Sequence, residues 1–518
     1  MKSHSSRNLL AIGLGTALPF GVPAFAASEA SSGDNTPDPE PRPNFILLMS
    51  DDQGWGDVGF NGNDRLRTPH LDEMAAGGMA MERFYAASPI CSPTRGSVLT
   101  GRHFSRYGIH AAHTGGMRVG EVTIAELLKK EGYATGIFGK WHNGWVFPDE
   151  QLSRGVYSPP WHHGFEESFV TTSAVPTWNP TVTPPGWNNW GQREGEPWKG
   201  GEPYVHNGEP VSDNMDGDDS RVIMDRVIPF IRENAEEQKP FLAVVWFHTP
   251  HEPVVAGPEY LEMYSDLPDD QAHYFGSITA MDEQIGRLRE ELRELGLSEN
   301  TLISFTSDNG AHRQLVRRGY ASSGPFRGSK HTAYEGGVRM PTVFEWPGRI
   351  AQGRSDFMSS TYDYLPTVLD YLGLEMPDNR PLDGVSLAGT LNGETGERPG
   401  FVVIGYQRLH RDHIRHALIE NRYKLIFSDP DSPFKDVEGT SLEDLVPDPP
   451  AHLKRHFGEE GVFGGRGATF ELYDLLEDPG ESKDLATEKP EEARRMIDLL
   501  DDFFHSVNRS DKGADYNY

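Results

Sequence analysis

The sequence predicts an α/β protein. A large, mostly parallel or mixed sheet flanked by helices is followed by a small C-terminal α+β domain with an antiparallel sheet. Three observations carry this. Continuous apolar runs of strand length alternate with amphipathic stretches of helical period. Carboxylate-bearing residues fall just past the ends of those runs, where open α/β sheets place their sites. After a loop rich in Gly, Thr and Glu near 390–400, the pattern changes to closely spaced strand-like pieces.

The elements follow in order. Lys2 and Arg7, an apolar run from Leu9 to Phe25, and Ala24-Phe25-Ala26 before Ala27 form a secretory signal over 1–27. Residues 28–43 are rich in Ser, Pro and acid, cannot build a core, and read as a disordered linker. The large domain is expected over 44–395 and the smaller one over 396–518. Asn44 to Met49 has the length and composition of a strand buried on both faces. Thr68-Pro69-His70-Leu71-Asp72 opens a helix that continues to Met79. Val122 to Glu131 is an amphipathic helix stopped by Gly132, and Tyr133 to Phe138 returns to strand. Helices are expected at 220–234 and 274–295, and buried strands at 240–247 and 301–306. Strands at 401–404, 416–419 and 423–426 and a helix at 491–507 complete the C-terminal part.

The 518 residues carry a formal charge of −30. Such an acidic surface argues against nucleic acid and anionic membranes as partners. Beyond the signal no segment approaches the roughly 20 apolar residues of a membrane span, so membrane insertion is not expected. The mature protein is expected to be exported, either periplasmic or fully secreted. Cys91 is the only cysteine, so it has no partner for an internal disulfide. It is either a small buried hydrophobe or a functional group. Its neighbours weigh on the choice. Ser92 and Pro93 look like a helix start, which puts Cys91 at the positive end of that helix. Arg95 lies within the first turns and can fork onto an oxyanion.

Asp51-Asp52 and Asp308-Asn309 each terminate a buried strand. Either each pair caps a following helix, or adjacent strands bring both together around a hard cation, Ca²⁺ or Mg²⁺. Two pairs at matching strand ends favour the cation, because clustered carboxylates repel without one. Lys140 and His142 follow the strand ending at Phe138 and suit anion binding and proton transfer. His248 and His251 follow the 240–247 strand in the same way. Lys330 lies in Gly328-Ser329-Lys330, ahead of Tyr334 to Arg339.

These strings resemble the type I sulfatases. Cys91-Ser92-Pro93-Thr94-Arg95-Gly96-Ser97-Val98-Leu99-Thr100-Gly101-Arg102 is similar to their leading signature, and Gly132 to His142 to their second. Asp51-Asp52-Gln53-Gly54, Ser307-Asp308-Asn309-Gly310, Leu472-Tyr473-Asp474-Leu475 and Asp478-Pro479-Gly480-Glu481 are further family strings, in the family's order. The resemblance implies an alkaline phosphatase-like fold with 44–395 as the catalytic domain, and sulfuric ester hydrolysis. It implies that a formylglycine-generating or equivalent maturation enzyme, reading C-x-P-x-R, converts Cys91 to formylglycine. It further implies one Ca²⁺ on Asp51, Asp52, Asp308 and Asn309 that also touches residue 91. Arg95 and Lys140 would hold the hydrated aldehyde, and Lys140 and Lys330 would clamp the sulfate. His251, preferred to His248, would protonate the departing alcohol, and His142 would take a proton from the second hydroxyl. The alternatives are a phosphonate or phosphodiester hydrolase of the same superfamily and a non-catalytic glycan-binding relative.

The expected substrate is a sulfated carbohydrate, with galactose or N-acetylgalactosamine sulfate as the leading sugars. Trp145, Trp161, Trp178, Trp187, Trp190 and Trp198 crowd one loop-like stretch. They either stack on sugar rings, with Trp178 expected among the substrate contacts, or pack the loop onto the domain. His312, Arg313, Arg317 and Arg318 form a small basic run that either holds a second sulfate or a uronic acid or is a solvated loop.

Overall fold

The computed structural model describes residues 41–148, 156–189, 193–198, 204–407, 414–428, 439–457 and 468–516. The expected signal sequence, most of the linker and Trp190 lie outside them. The large sheet runs in the spatial order Gly353–Ser355, Met79–Met81, Thr342–Glu345, Thr301–Ser307, Asn44–Ser50, Phe241–Trp246, Ala134–Lys140, Glu167–Thr171, Val205–His206, Glu209–Pro210. Its centre is parallel and antiparallel pairing enters toward both edges, which is the mixed sheet expected.

The apolar runs form strands because both faces are covered. Along Asn44–Ser50, Phe45, Leu47 and Met49 enter one core, and Ile46 and Leu48 enter the other. Leu242, Val244 and Trp246 divide from Phe241, Ala243 and Val245 in the same way, as the two-residue period of a strand requires. The second face is closed by helices Asp219–Glu236 and Asp269–Glu294. The latter begins five residues before the expected start, behind Pro268 and with Asp269 and Asp270 in its first turn. Acid in a first turn is favoured by the helix dipole, a signal that apolar periodicity does not carry. Helix Ile124–Lys130 has a full capping box between Thr123 and Glu126. The expected helix from Thr68 to Met79 is shorter: Pro69–Gly77 is helical, and Met79 already belongs to the strand Met79–Met81.

The C-terminal sheet is antiparallel, in the order Val402–Gln407, Ile414–Ile419, Tyr423–Ser428, Thr469–Asp474, Thr440–Ser441. Helix Pro490–Asp511 covers one face through Met496, Ile497, Leu500 and Phe504. The other face, with Ile404, Ala417, Ile419 and Ile426, packs on Tyr85, Tyr334, Val338 and Tyr362. Across this seam Lys424 Nζ is 2.9 Å from Glu335 Oε1 and 2.8 Å from Glu481 Oε1, all fully buried. Burial and the neighbouring Glu335 charge push Glu481 up to about 7, with Lys424 opposing.

Lys424→Met removes the cation these two carboxylates share, leaving Glu335 with Arg339 at 3.2 Å and Glu481 with no ion pair among the described residues. Stripping one partner from a buried ionic group costs about 3–5 kcal/mol, so the denaturant midpoint of Lys424→Met should fall well below that of the unsubstituted protein. An unchanged midpoint would refute a structural role for the triad.

Candidate active site

Strand register builds the site. Ser50 lies opposite Ser307 in the parallel pair, so Asp51-Asp52 and Asp308-Asn309 leave the sheet side by side. Asp52 adopts φ 64°, and its N–H donates to Asp308 Oδ1 at 3.1 Å. Asn309 Nδ2 donates to Asp52 Oδ1 at 2.7 Å, while Asn309 Oδ1 is buried with no hydrogen-bond partner among the described residues. Asp51, Asp52 and Asp308 are all buried.

Helix Cys91–Thr100 starts at the cysteine, and every residue of it is buried. Cys91 Sγ is 3.6 Å from Asp51 Oδ1 and 3.6 Å from Lys330 Nζ. One turn on, Arg95 donates to Asp308 Oδ2 through Nε at 3.0 Å and Nη2 at 2.7 Å. Its guanidinium lies 5.3 Å from the centre of the Trp246 ring. Strand Ala134–Lys140 runs two residues further than expected. Lys140 is therefore the strand's last residue, and its Nζ donates to Asp51 Oδ2 at 2.6 Å. Gly139 makes this possible: at φ 99° a Cβ there would stand 1.9 Å from the Trp246 carbonyl oxygen. Lys330 Nζ lies 2.6 Å from Asp52 Oδ1 and 2.7 Å from Oδ2.

The two histidines after strand Phe241–Trp246 differ in what they touch. His248 is engaged by Thr171 Oγ1 at 2.7 Å and Asp219 Oδ2 at 2.8 Å. His251 Nδ1 donates to the Glu252 carbonyl at 2.7 Å, and its Nε2 faces Asp52 Oδ2 at 3.8 Å. His142 is buried at φ 52°. Neither of its ring nitrogens has a hydrogen-bond partner among the described residues, and the His113 ring lies 4.6 Å away.

Charge is tightly matched here. Burial would raise Asp51, but Lys140, His251, Arg95 and Lys330 hold it well below the usual carboxylate range. Asp52 is lowered against its own burial chiefly by Lys330. Asp308 goes the other way, pushed up to about 7 by burial and by Asp51, with Arg95 only partly offsetting. Burial also pushes the Cys91 thiol up, despite Lys140 and Lys330. Since the thiolate is the nucleophilic form, the unmodified side chain is a poor nucleophile in this pocket. Burial lowers His142 well below the usual histidine range, assisted by the Lys140 charge.

A family model described as Sulfatase matches residues 43–374. The chain belongs to the sulfatase family. It is 35% identical to rat (Rattus norvegicus) N-acetylgalactosamine-6-sulfatase over 71% of this chain and 69% of that one. It is 32% identical to human (Homo sapiens) arylsulfatase A over 88% and 87% respectively. The crystal structure of Ps i-CgsB in complex with k-i-k-neocarrahexaose shares the fold, with a TM-score of 0.71 at 23% identity, covering 90% of this chain and 93% of that one. A sulfatase is a sulfuric ester hydrolase, and this chain carries the family's domain.

The sulfatase fold brings together Asp51, Asp52, Cys91, Arg95, Lys140, His142, His251, Asp308, Asn309 and Lys330. Oxygen, sulfur or nitrogen atoms of Asp51, Asp52, Cys91 and His251 lie within 4.8 Å of one another. The basic run is less positive than its sequence suggests. His312 Nδ1 faces Glu252 Oε1 at 3.7 Å and Arg318 pairs with Asp270 at 2.7 Å, both carboxylates coming from distant sequence. Arg313 begins the short helix Arg313–Arg317. Among the tryptophans, Trp198 is buried with its Nε1 on the Ala174 carbonyl, which is packing. Trp178 is half-buried over Gly257, where a Cβ would stand 2.2 Å from the indole. Sequence reasoning missed His113, whose only local signal is a histidine in the turn-like His113-Thr114-Gly115-Gly116.

Beside His248, Asp218 caps helix Asp219–Glu236 by accepting the Arg221 N–H at 3.1 Å, while its other oxygen is buried without a partner among the described residues. Burial and Asp219 push it up to about 8. The folded protein then holds a proton that the unfolded chain releases near 3.8, so this group's contribution is full at pH 4 and lost as pH rises through 8. Asn caps equally well. Asp218→Asn should match the parent near pH 4 and exceed its stability at pH 8 by about 1 kcal/mol or more. Equal differences at both pH values, in urea melts, would contradict the assignment.

Proposed function

We propose that this sulfatase acts after export on a sulfated glycan, a galactose or N-acetylgalactosamine sulfate, using a formylglycine made from Cys91 and a bound Ca²⁺. One observation carries the reading. The sole cysteine stands at the start of a buried helix, 3.6 Å from both Asp51 and Lys330, inside a set of buried carboxylates and cations. The sugar rests on the likeness to the rat N-acetylgalactosamine-6-sulfatase.

The donor set suits a hard cation. Asp51, Asp52, Asp308 and Asn309 offer only oxygens, and the buried Asn309 Oδ1 has no other partner among the described residues. Those four residues would hold Ca²⁺, which lowers the pKa of a bound hydroxyl and polarises the sulfuryl group. Formylglycine supplies a hydrated aldehyde, with one hydroxyl to attack sulfur and a second to expel sulfate afterwards. The remaining work falls to this chain's side chains. Lys140 and Lys330, fixed on Asp51 and Asp52, present ammonium groups to the sulfate oxygens as negative charge gathers there. Arg95, held on Asp308, keeps the nucleophile's carboxylate surroundings in place. His251 delivers a proton to the departing alcohol oxygen. His142 removes the proton from the second hydroxyl at position 91, so that covalent catalysis divides one hard hydrolysis into two steps.

Purified from a host with the maturation enzyme, the peptide spanning Cys91 should appear in mass spectra as formylglycine, and Cys91→Ala should lose more than about 10³-fold in kcat. On a panel of defined sulfated sugars, turnover should be highest on galactose or N-acetylgalactosamine sulfates. Turnover confined to small aryl sulfates would overturn the glycan assignment, and an active enzyme whose residue 91 is still a thiol would overturn the nucleophile. Chelation should lower the melting temperature and activity together, because a ligand that binds only the folded state stabilises it.

A further inference from the structure

His113 sits where a histidine is costly. It is the third residue of a tight turn, Ala111 to Thr114, closed by the Thr114 N–H on the Ala111 carbonyl at 3.3 Å. Thr114 Oγ1 braces the turn from inside, accepting the Ala111 N–H at 2.9 Å and donating to the Ala111 carbonyl at 2.9 Å. At φ 58°, His113 occupies the left-handed region that β-carbon-bearing residues adopt at a cost. Such a conformation persists only where the surroundings over-determine it, and it clusters at functional sites. The surroundings here are the site itself, since Ala111 packs on Ile90 and Cys91.

The side chain then does two things. Its Nε2 lies 3.3 Å from Ser173 Oγ, which fixes the plane of the ring. Its ring meets the His142 ring edge-on, 4.6 Å between centres and 61° between planes. His142 has no hydrogen bond on either nitrogen among the described residues, so packing alone sets its orientation. Part of His113 reaches solvent, while the residue lines a small cleft with Ser92, His142, Trp145 and Thr172.

We propose that His113 is a positioning residue of the sulfatase reaction, holding the His142 ring so that it faces the hydroxyl it deprotonates. The proposal rests on the role of His142 given above. Desolvation in the cleft, with Lys140 and Lys330 nearby, pushes His113 down to about 4. It therefore packs against His142 as a neutral ring and adds no charge. The charged or titratable groups facing His142 are Lys140, His113, Arg95 and His251.

The test uses the full chain from a maturing host. Asn tolerates a left-handed backbone, so His113→Asn keeps the turn and removes the ring. His113→Phe restores an aromatic ring without its nitrogens; because Phe adopts φ 58° less readily than His, its melting temperature is measured beside its kcat and it is compared only as a folded protein. His113→Asn should lower kcat about 10- to 100-fold, the scale of a misplaced catalytic group, with little change in KM. It should also move the acid limb of kcat, and the His142 imidazole titration followed by NMR, toward the ordinary histidine range. His113→Phe should recover most of the loss. A His113→Asn variant with unchanged kcat and an unchanged His142 titration would overturn the proposal. So would a His113→Phe variant as impaired as His113→Asn. Should His113→Asn melt early, His113→Phe decides alone by the same readouts. The NMR titration needs no turnover, so an unsubstituted enzyme inactive on every sulfate ester would sink the proposed function while this inference is still decided on the His142 signal.

Discussion

The structure depends on three carboxylates that have been taken out of water. Asp51, Asp52 and Asp308 sit side by side because two parallel strands end in register, Ser50 against Ser307. Their mutual repulsion in a low-dielectric site is severe, and the rest of the site answers it. Lys140 is placed on Asp51 by the end of one strand, Lys330 on Asp52 by a loop, and Arg95 on Asp308 by the second turn of a buried helix. Each cation comes from a different element, so the elements cannot shift independently without exposing a buried charge.

Close backbone approach is the second requirement, and glycines supply it where a Cβ has no room. Gly139 lets Lys140's strand lie against the Trp246 carbonyl, and a Cβ at Gly310 would stand 2.1 Å from the Gly336 carbonyl. The second contact draws the segment carrying Lys330 toward the Asp308 loop, together with the hydrogen bonds from Lys330 N–H to the Ala311 carbonyl and from Gly310 N–H to the Gly337 carbonyl. The same segment continues into Glu335, which is anchored by Lys424 of the C-terminal sheet. The small sheet thus holds from behind the stretch that presents Lys330.

Much of this was legible in the amino-acid order, for a physical reason. Strands buried on both faces write themselves as unbroken apolar runs, and the polar residues after them mark the sheet's functional end. Asp51-Asp52 and Asp308-Asn309 could be paired on that ground alone. Lys330 had no comparable local sign. Its place depends on long-range backbone contacts, and only likeness to a family singled it out. Met79–Met81 and Thr342–Glu345 are too short for periodicity to separate from helix or loop. His113 was invisible because its importance lies in a turn conformation and a ring contact 29 residues along the chain, neither of which composition encodes. The local charge of the basic run after Asn309 was not legible either, since Glu252 and Asp270 reach it only in three dimensions.

An acidic protein that binds an anion poses a last problem, and the site's charge count answers it on the proposed reading. The formal charge of −30 is spread over a surface where screening acts within about 8–10 Å, so it does not decide what happens inside a buried pocket. Within the pocket, Arg95, Lys140 and Lys330 are matched one for one by Asp51, Asp52 and Asp308. Without substrate the histidines add nothing at neutral pH, because His142 is held well below its usual range and His251 and His113 near 4; an anionic substrate beside His251 would favour the protonated ring that its proposed acid role requires. With Asp308 pushed up to about 7, the side chains alone carry at most a small positive charge, and the three cations are already held by carboxylates. A divalent cation on the carboxylates changes this balance. Held there, it would neutralise them and leave the pocket net positive, so that Lys140 and Lys330 could turn toward sulfate oxygens. Metal binding and anion binding should then be linked through the same three aspartates, the metal preparing the clamp that the lysines complete.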